Sequence, residues 1–286
     1  MKFQALSPAT LGAVVVLAGA AAADPASTPA PAAPTSADLR TVDPANLLVI
    51  DTNKGRILVE LWPQVAPASA AQVRALASAG FYNGRSFFRV IDGFMDQTGD
   101  PQDNGQGGST RPNLPPEFTF RHDPADMAAI VDSQAEADSG FIGPAPAVSQ
   151  KGGLADLTAD HKVNAIATFC AGVVGMARAQ DTSSGNSQFF LMRAAQDHLD
   201  GQYTAVGRVV SGLDVVRQIK TGEPVDPPQD KMLTVRMAAD MPAAQRPTVR
   251  VVDTRSPWLA AEIARVKAEK VVGVTPCDID IPSQVK

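Results

Sequence analysis

The chain lacks most of what would mark a metalloprotein, a nucleic-acid binder or a disulfide-built miniprotein. Its 286 residues hold two cysteines and three histidines. No C-x-x-C or H-E-x-x-H occurs, and His122, His161 and His198 are scattered, so no metal site is expected. Asp96, Asp100 and Asp103 resemble a calcium loop in composition but not in spacing. Two cysteines cannot make a disulfide-dense miniprotein. No block of consecutive Lys or Arg is present and the net charge is −5, which argues against a phosphate-tracking nucleic-acid partner. Outside the N-terminus no apolar run reaches the ~18 residues of a membrane span. No G-x-S-x-G elbow and no Ser/His/Asp constellation is visible, so a hydrolase is a distant reading.

What remains is enough to fold. Hydrophobic residues make up 44% of the chain, ample for a core in one large domain or two small ones. Residues 1–23 carry a positive start (Lys2), an apolar stretch (11–23) and small residues before Asp24, the pattern of a secretory signal. That implies a periplasmic or secreted protein, with no membrane contact once the signal is gone. Cys170 and Cys277 then have two possible fates: paired in an oxidising compartment, or free in a reducing one. Residues 24–46 are rich in Ala, Pro, Ser and Thr without periodicity and read as an unstructured tether.

Folded signals begin at Leu47. Residues 47–51 and 56–61 flank Asn53-Lys54-Gly55 and predict a hairpin. Residues 67–79 predict a helix, with Pro67 in the first turn and Gly80 at the stop. Strands are predicted at 86–91, 94–98, 172–178, 187–192, 204–210 and 231–239, with a short helix at 213–220. No βαβ rhythm appears, so a closed antiparallel barrel with helical plugs is the expected architecture. Residues 121–164 are polar and weakly periodic and read as a long inserted loop. Residues 240–286 read as a C-terminal extension with a strand near 248–253 and one helix opened by Ser256-Pro257. Gly105, Gly107 and Gly108 read as a flexible turn.

Three segments carry the chemistry: 87–101, 186–191 and 199–210. They put an arginine, glutamines and large apolar groups on adjacent strands. Side-chain alternation in 86–91 sets Arg89 on one face with Phe87 and Ile91. An arginine among apolar neighbours is either a stem lying along greasy surface or a deliberately aimed donor. These residues alone leave that choice open.

The motifs F-x-R-V-I-x-G-F-M-x-Q, S-Q-F-F and L-D-G-x-x-x-x-G-x-V, in this order, resemble the cyclophilin-type peptidyl-prolyl isomerases over residues 47–239, with 121–164 as an insertion. The resemblance implies a mainly β fold: a closed eight-stranded antiparallel barrel capped by two helices. It implies that Arg89 is the catalytic arginine, that Gln97 orients it, and that Phe94, Met95, Phe190 and Leu199 grip a proline ring. Gln188, Ala177 and Arg178 would line the path of the substrate backbone. Tyr203 stands where His is frequent. His198 stands at a binding position that is often Trp or Phe, which puts strong cyclosporin sensitivity in question. Phe88, Asp92 and Thr98 depart from frequent His, Pro and Gly, without removing a group the chemistry needs. No cofactor is implied. The implied partners are proline-containing polypeptides, taken up by a monomer. The alternative is a non-catalytic chaperone or scaffold, in which the insertion or the extension covers the groove or recruits a partner.

Overall fold

A computed structural model describes residues 33–131, 136–270 and 273–286; the expected signal segment and the start of the tether lie outside the described residues. Strand β1 (Leu39–Thr41) precedes a hairpin of β2 (Leu47–Thr52) and β3 (Gly55–Leu61), then helix α1 (Pro67–Ser78), β4 (Arg89–Ile91) and β5 (Met95–Thr98). The insertion contains β6 (Phe120–His122), β7 (Met127–Val131), β8 (Ala137–Ile142), β9 (Ala145–Gln150) and β10 (Val163–Ala167). Then come β11 (Val173–Met176), β12 (Phe189–Met192), β13 (Ala205–Ser211), α2 (Leu213–Val216) and β14 (Met232–Met237). The extension holds β15 (Val249–Val252), α3 (Pro257–Glu269) and β16 (Ser283–Val285).

Eight of these strands form one antiparallel sheet in the order β14-β2-β3-β13-β11-β12-β5-β4. Its two ends approach each other just before β4. There Ser86 bridges Lys231, Met232 N–H donates to Arg85 O at 2.9 Å, and Phe87 N–H donates to Asp230 O at 2.9 Å. The run Leu47-Leu48-Val49-Ile50 is apolar throughout because β2 is buried on both faces. Leu48 and Ile50 join Ile57, Val59, Leu76, Phe189 and Val235 in the inner core. Leu47 and Val49 join Leu58, Met241, Val249 and Val251 on the other side. Each such side chain contributes ~1.5–3 kcal/mol relative to exposure. Pro67 opens α1, and Glu117 caps it from far along the chain, accepting Ala68 N–H at 2.8 Å and Ser69 N–H at 2.9 Å.

Four expectations need correction. The tether ends early: Leu39–Thr41 pairs with β15, which pairs with β16, because Leu39 and Val42 are apolar enough to bury. This small sheet covers the outer face of β2, so the extension is a further layer of the fold. The insertion is not a loop. It is a five-stranded antiparallel sheet in the order β6-β10-β9-β8-β7, built on small residues such as Ala145, Ala147, Ala165 and Ala167. Its apolar contrast is too low to register as strand periodicity. The helix expected at 213–220 is helical only at Leu213–Val216. Finally, Phe87 does not share a face with Arg89. The strand starts only at Arg89, and Phe87 packs in the inner core with Val90.

Candidate functional site

Strand register draws the candidate residues into one line. Gly175 of β11 lies opposite Phe190 of β12, Phe190 opposite Gln97 of β5, and Gln97 opposite Arg89 of β4. Directly opposed residues project to the same face of a sheet. The next line, Val174, Leu191, Asp96 and Val90, projects to the opposite face. Alternation along four strands therefore sorts polar and apolar functional groups to one surface.

On that surface sits a small cavity of about 100 Å³. Met95, Phe190 and Leu199 are buried in its wall and Phe94 is half-buried beside them. Phe190 stacks on Phe169 at 5.8 Å and meets Tyr203 edge-on at 5.7 Å. Gly175 is what lets the Phe190 ring lie so close to the sheet: a methyl group there would overlap that ring and sit 2.7 Å from Phe169 Cε1. Arg178 closes one side. Its guanidinium carbon lies 4.6 Å above the Tyr203 ring, and Nε and Nη2 donate to Gln202 O at 3.1 and 3.0 Å. Arg89, Gln97 and Ala177 complete the lining. Arg89 Nη1 donates to Gln97 Oε1 at 3.3 Å, while Nε and Nη2 reach Glu223 Oε1 at 2.7 and 2.6 Å.

Gln188 is brought next to the cavity rather than into it. Gln97 Nε2 donates to Gln188 Oε1 at 2.9 Å, and Gln188 Nε2 donates to Gly107 O at 2.8 Å. Gln188 lines an adjoining groove of about 400 Å³ that shares Gln97, Ala177 and Arg178 with the cavity. Gly105, Gly107 and Gly108 form its wall, so the expected flexible turn is a built loop. Asp100 holds it, accepting N–H bonds from Gln102 (2.8 Å), Asn104 (3.0 Å) and Gly105 (2.5 Å). Asn186 braces it through Ser109, whose N–H and Oγ both reach Asn186 Oδ1 at 2.7 Å. His198 is not part of the lining. It is exposed, with its ring 6.0 Å from that of Phe94.

Sequence reasoning missed Glu223. It enters from 134 residues along the chain, and only the strand-edge geometry brings it to Arg89. Cys170 and Cys277, left open by the sequence, are joined in a disulfide (Cα–Cα 4.9 Å) behind the cavity wall. Among the described residues, none of the insertion or the extension lines the cavity or the groove. The insertion instead packs Phe120, Ile142 and its alanines behind Phe169 and Phe190. Among the described residues no group of His, Cys, Asp or Glu is placed to hold a metal ion.

Asp96 lies in the site strand but faces inward and is fully buried. Burial pushes its carboxyl up to about 7, with Arg193 Nη1 at 3.3 Å pulling the other way. The folded chain thus holds a proton between about pH 4 and pH 7 that the unfolded chain has released, so this group's contribution to stability falls as pH rises through that window. Asp96→Asn removes the titration. Between pH 5 and pH 8 the wild type is expected to lose about 3 kcal/mol relative to the variant. Thermal or urea unfolding of both proteins checks it. The difference cancels His122, whose pKa is lowered by burial and which favours the opposite trend in both. Parallel pH profiles would show that Asp96 is ionised throughout.

The description "Cyclophilin type peptidyl-prolyl cis-trans isomerase/CLD" belongs to the family model that matches residues 47–239. A probable peptidyl-prolyl cis-trans isomerase of Brucella suis biovar 1 is 34% identical over 213 residues, 69% of this chain and 85% of that protein. Peptidyl-prolyl cis-trans isomerase B of Bacillus subtilis is 32% identical over 177 residues, 62% of this chain and 90% of that one. Among solved structures, cyclophilin AquaCyp293 from Hirschia baltica matches with a TM-score of 0.79 and 34% identity, over 86% of this chain and 93% of that one. That likeness runs beyond the family match into the flanking segments.

Proposed function

The chain belongs to the cyclophilin-type peptidyl-prolyl cis-trans isomerases, and from that premise we propose that Arg89 does the chemistry by holding an X-Pro amide in its twisted state while the apolar cavity grips the ring. The observation that carries this reading is the single line of Phe190, Gln97 and Arg89 across three strands, with a small greasy cavity at its centre.

The reaction needs no nucleophile. Amide resonance sets a rotation barrier of ~18–20 kcal/mol, so uncatalysed exchange takes tens to hundreds of seconds. At the half-turned geometry the resonance is lost and the prolyl nitrogen regains a lone pair. A donor aimed at that nitrogen binds the transition state and not the planar ground state, which is the condition for acceleration. A guanidinium suits the task, since it stays charged and presents directed N–H groups. Phe94, Met95, Phe190 and Leu199 hold the ring still while the preceding carbonyl swings. Gln97 turns the guanidinium, and Gln188 with the adjoining groove receives the substrate backbone.

The natural substrates are read as proline-containing polypeptides in an oxidising, exported compartment. The signal-like N-terminus and the Cys170–Cys277 disulfide support that placement. The experiment is exchange spectroscopy on an Ala-Pro peptide with sub-stoichiometric protein. Faster cis/trans exchange is expected. Binding without exchange broadening would favour the non-catalytic holder instead.

A further inference from the structure

We propose that Glu223 is a positioning residue for the Arg89 guanidinium; this rests on the role given to Arg89 above. Glu223 lies on the connection between α2 and β14, which runs alongside the open edge of β4 as a further strand would. Val90 N–H donates to Gly222 O and Gly222 N–H to Val90 O, both at 2.8 Å, and Val225 N–H donates to Phe88 O at 2.9 Å. Gly222 is required for the tight turn of this segment, because a Cβ there would sit 2.6 Å from Val225 Cα. Pinned on both sides, the segment sets Glu223 directly beside Arg89.

The carboxylate engages one edge of the guanidinium. A single oxygen, Oε1, takes Nε–H at 2.7 Å and Nη2–H at 2.6 Å, and Gln97 takes Nη1–H at 3.3 Å. Three of the five N–H groups are thereby committed to protein partners, and two remain for an incoming amide. Gln97 is itself held by Gln188, and Gln188 by Gly107 O. The guanidinium is therefore clamped between a chain of oriented amides on one side and a carboxylate on the other. A long, freely rotating side chain is delivered in one orientation before substrate arrives, and the ordering that would otherwise accompany the transition state is already done. An isolated surface ion pair would have no such consequence. Here the paired cation is the group on which the reaction depends, and the backbone carrying the anion is bonded to the same strand.

The test is a double-mutant cycle. Glu223→Ala is expected to lower kcat three- to tenfold with KM changed less than twofold and the melting temperature nearly unchanged, since the Glu223 side chain is 55% exposed. In an Arg89→Ala background the same change is expected to have no further effect. Glu223→Gln keeps the length and one acceptor oxygen, and its rate is expected between those of wild type and Glu223→Ala. The proposal is overturned if Glu223→Ala is as fast as wild type or faster, if its loss lies in KM alone, if the loss repeats in full on top of Arg89→Ala, or if the Gln variant is no better than the Ala variant. An Arg89→Ala enzyme with wild-type activity would instead remove the role of Arg89, so the two failures are distinguishable.

Discussion

Arg89→Ala is expected to lose between ten- and a hundredfold in kcat/KM on an Ala-Pro peptide. The range follows from the bond it deletes. A hydrogen bond to a charged donor is worth ~1.5–3 kcal/mol, and each tenfold in rate takes ~1.4 kcal/mol. The loss should fall on kcat more than on KM, because the bond forms only when the amide is twisted. Stability should barely move, since the partner left behind, Glu223, is exposed enough to be solvated by water. Residual acceleration is expected to survive, because Phe94, Met95, Phe190 and Leu199 still hold the ring. Arg89→Lys should not rescue the enzyme. Arg89 spends three N–H groups on Glu223 and Gln97, and an ammonium has only three, so a lysine that kept those contacts would have no donor left for the substrate. Wild-type kinetics in the Ala variant would mean that ring capture alone accounts for catalysis.

The sequence made much of this site legible because its strands keep strict alternation. Met95 and Gln97 are two apart in β5, so the face carrying the site could be read within that strand. Which residues stand opposite one another could not. That Phe190 meets Gln97 and Gln97 meets Arg89 is set by strand register, which depends on turns and bulges far from the motifs. The same applies to Glu223, an unremarkable acid before a proline until its loop docks on β4. Phe87 shows the reverse: alternation holds only from Arg89, where the strand begins, so it says nothing of the face Phe87 takes. Low contrast hid other elements. The insertion builds five strands from Ala, Gly and Ser as much as from large apolar residues, and β1 lies at the end of a Pro/Ala-rich stretch. Propensity reads neither. Both form because neighbouring elements supply the apolar partner: the barrel residues around Phe190 for the insertion, and Val252 with Ile130 and Phe141 for Leu39 of β1.

Removing the disulfide separates stability from catalysis. Cys277→Ser is expected to lower the melting temperature by about 10 °C while kcat/KM falls less than threefold. The bridge closes a sequence separation of 107. In the chain-entropy account a loop of that order restrains the unfolded state by ~4–5 kcal/mol, and in a protein of this size each kcal/mol shifts the midpoint by roughly 2–4 °C. Cys170 directly follows Phe169, whose ring backs Phe190, so proximity alone would predict a large catalytic effect. The local bonds argue against it. Phe169 N–H is held by Asp200 Oδ1 at 2.8 Å, Phe169 O accepts Gln196 N–H at 2.9 Å, and Cys170 N–H reaches Thr168 O at 2.9 Å. None of these involves the C-terminal segment. That segment also stays docked without the bridge, through β16 on β15 and β15 on β1. Melting curves and exchange rates for Cys277→Ser, and for wild type held in reductant, give the two readouts side by side. A tenfold loss of rate at an unchanged melting temperature would make the bridge a part of the site, with Phe169 set in place by the extension rather than by Asp200 and Gln196.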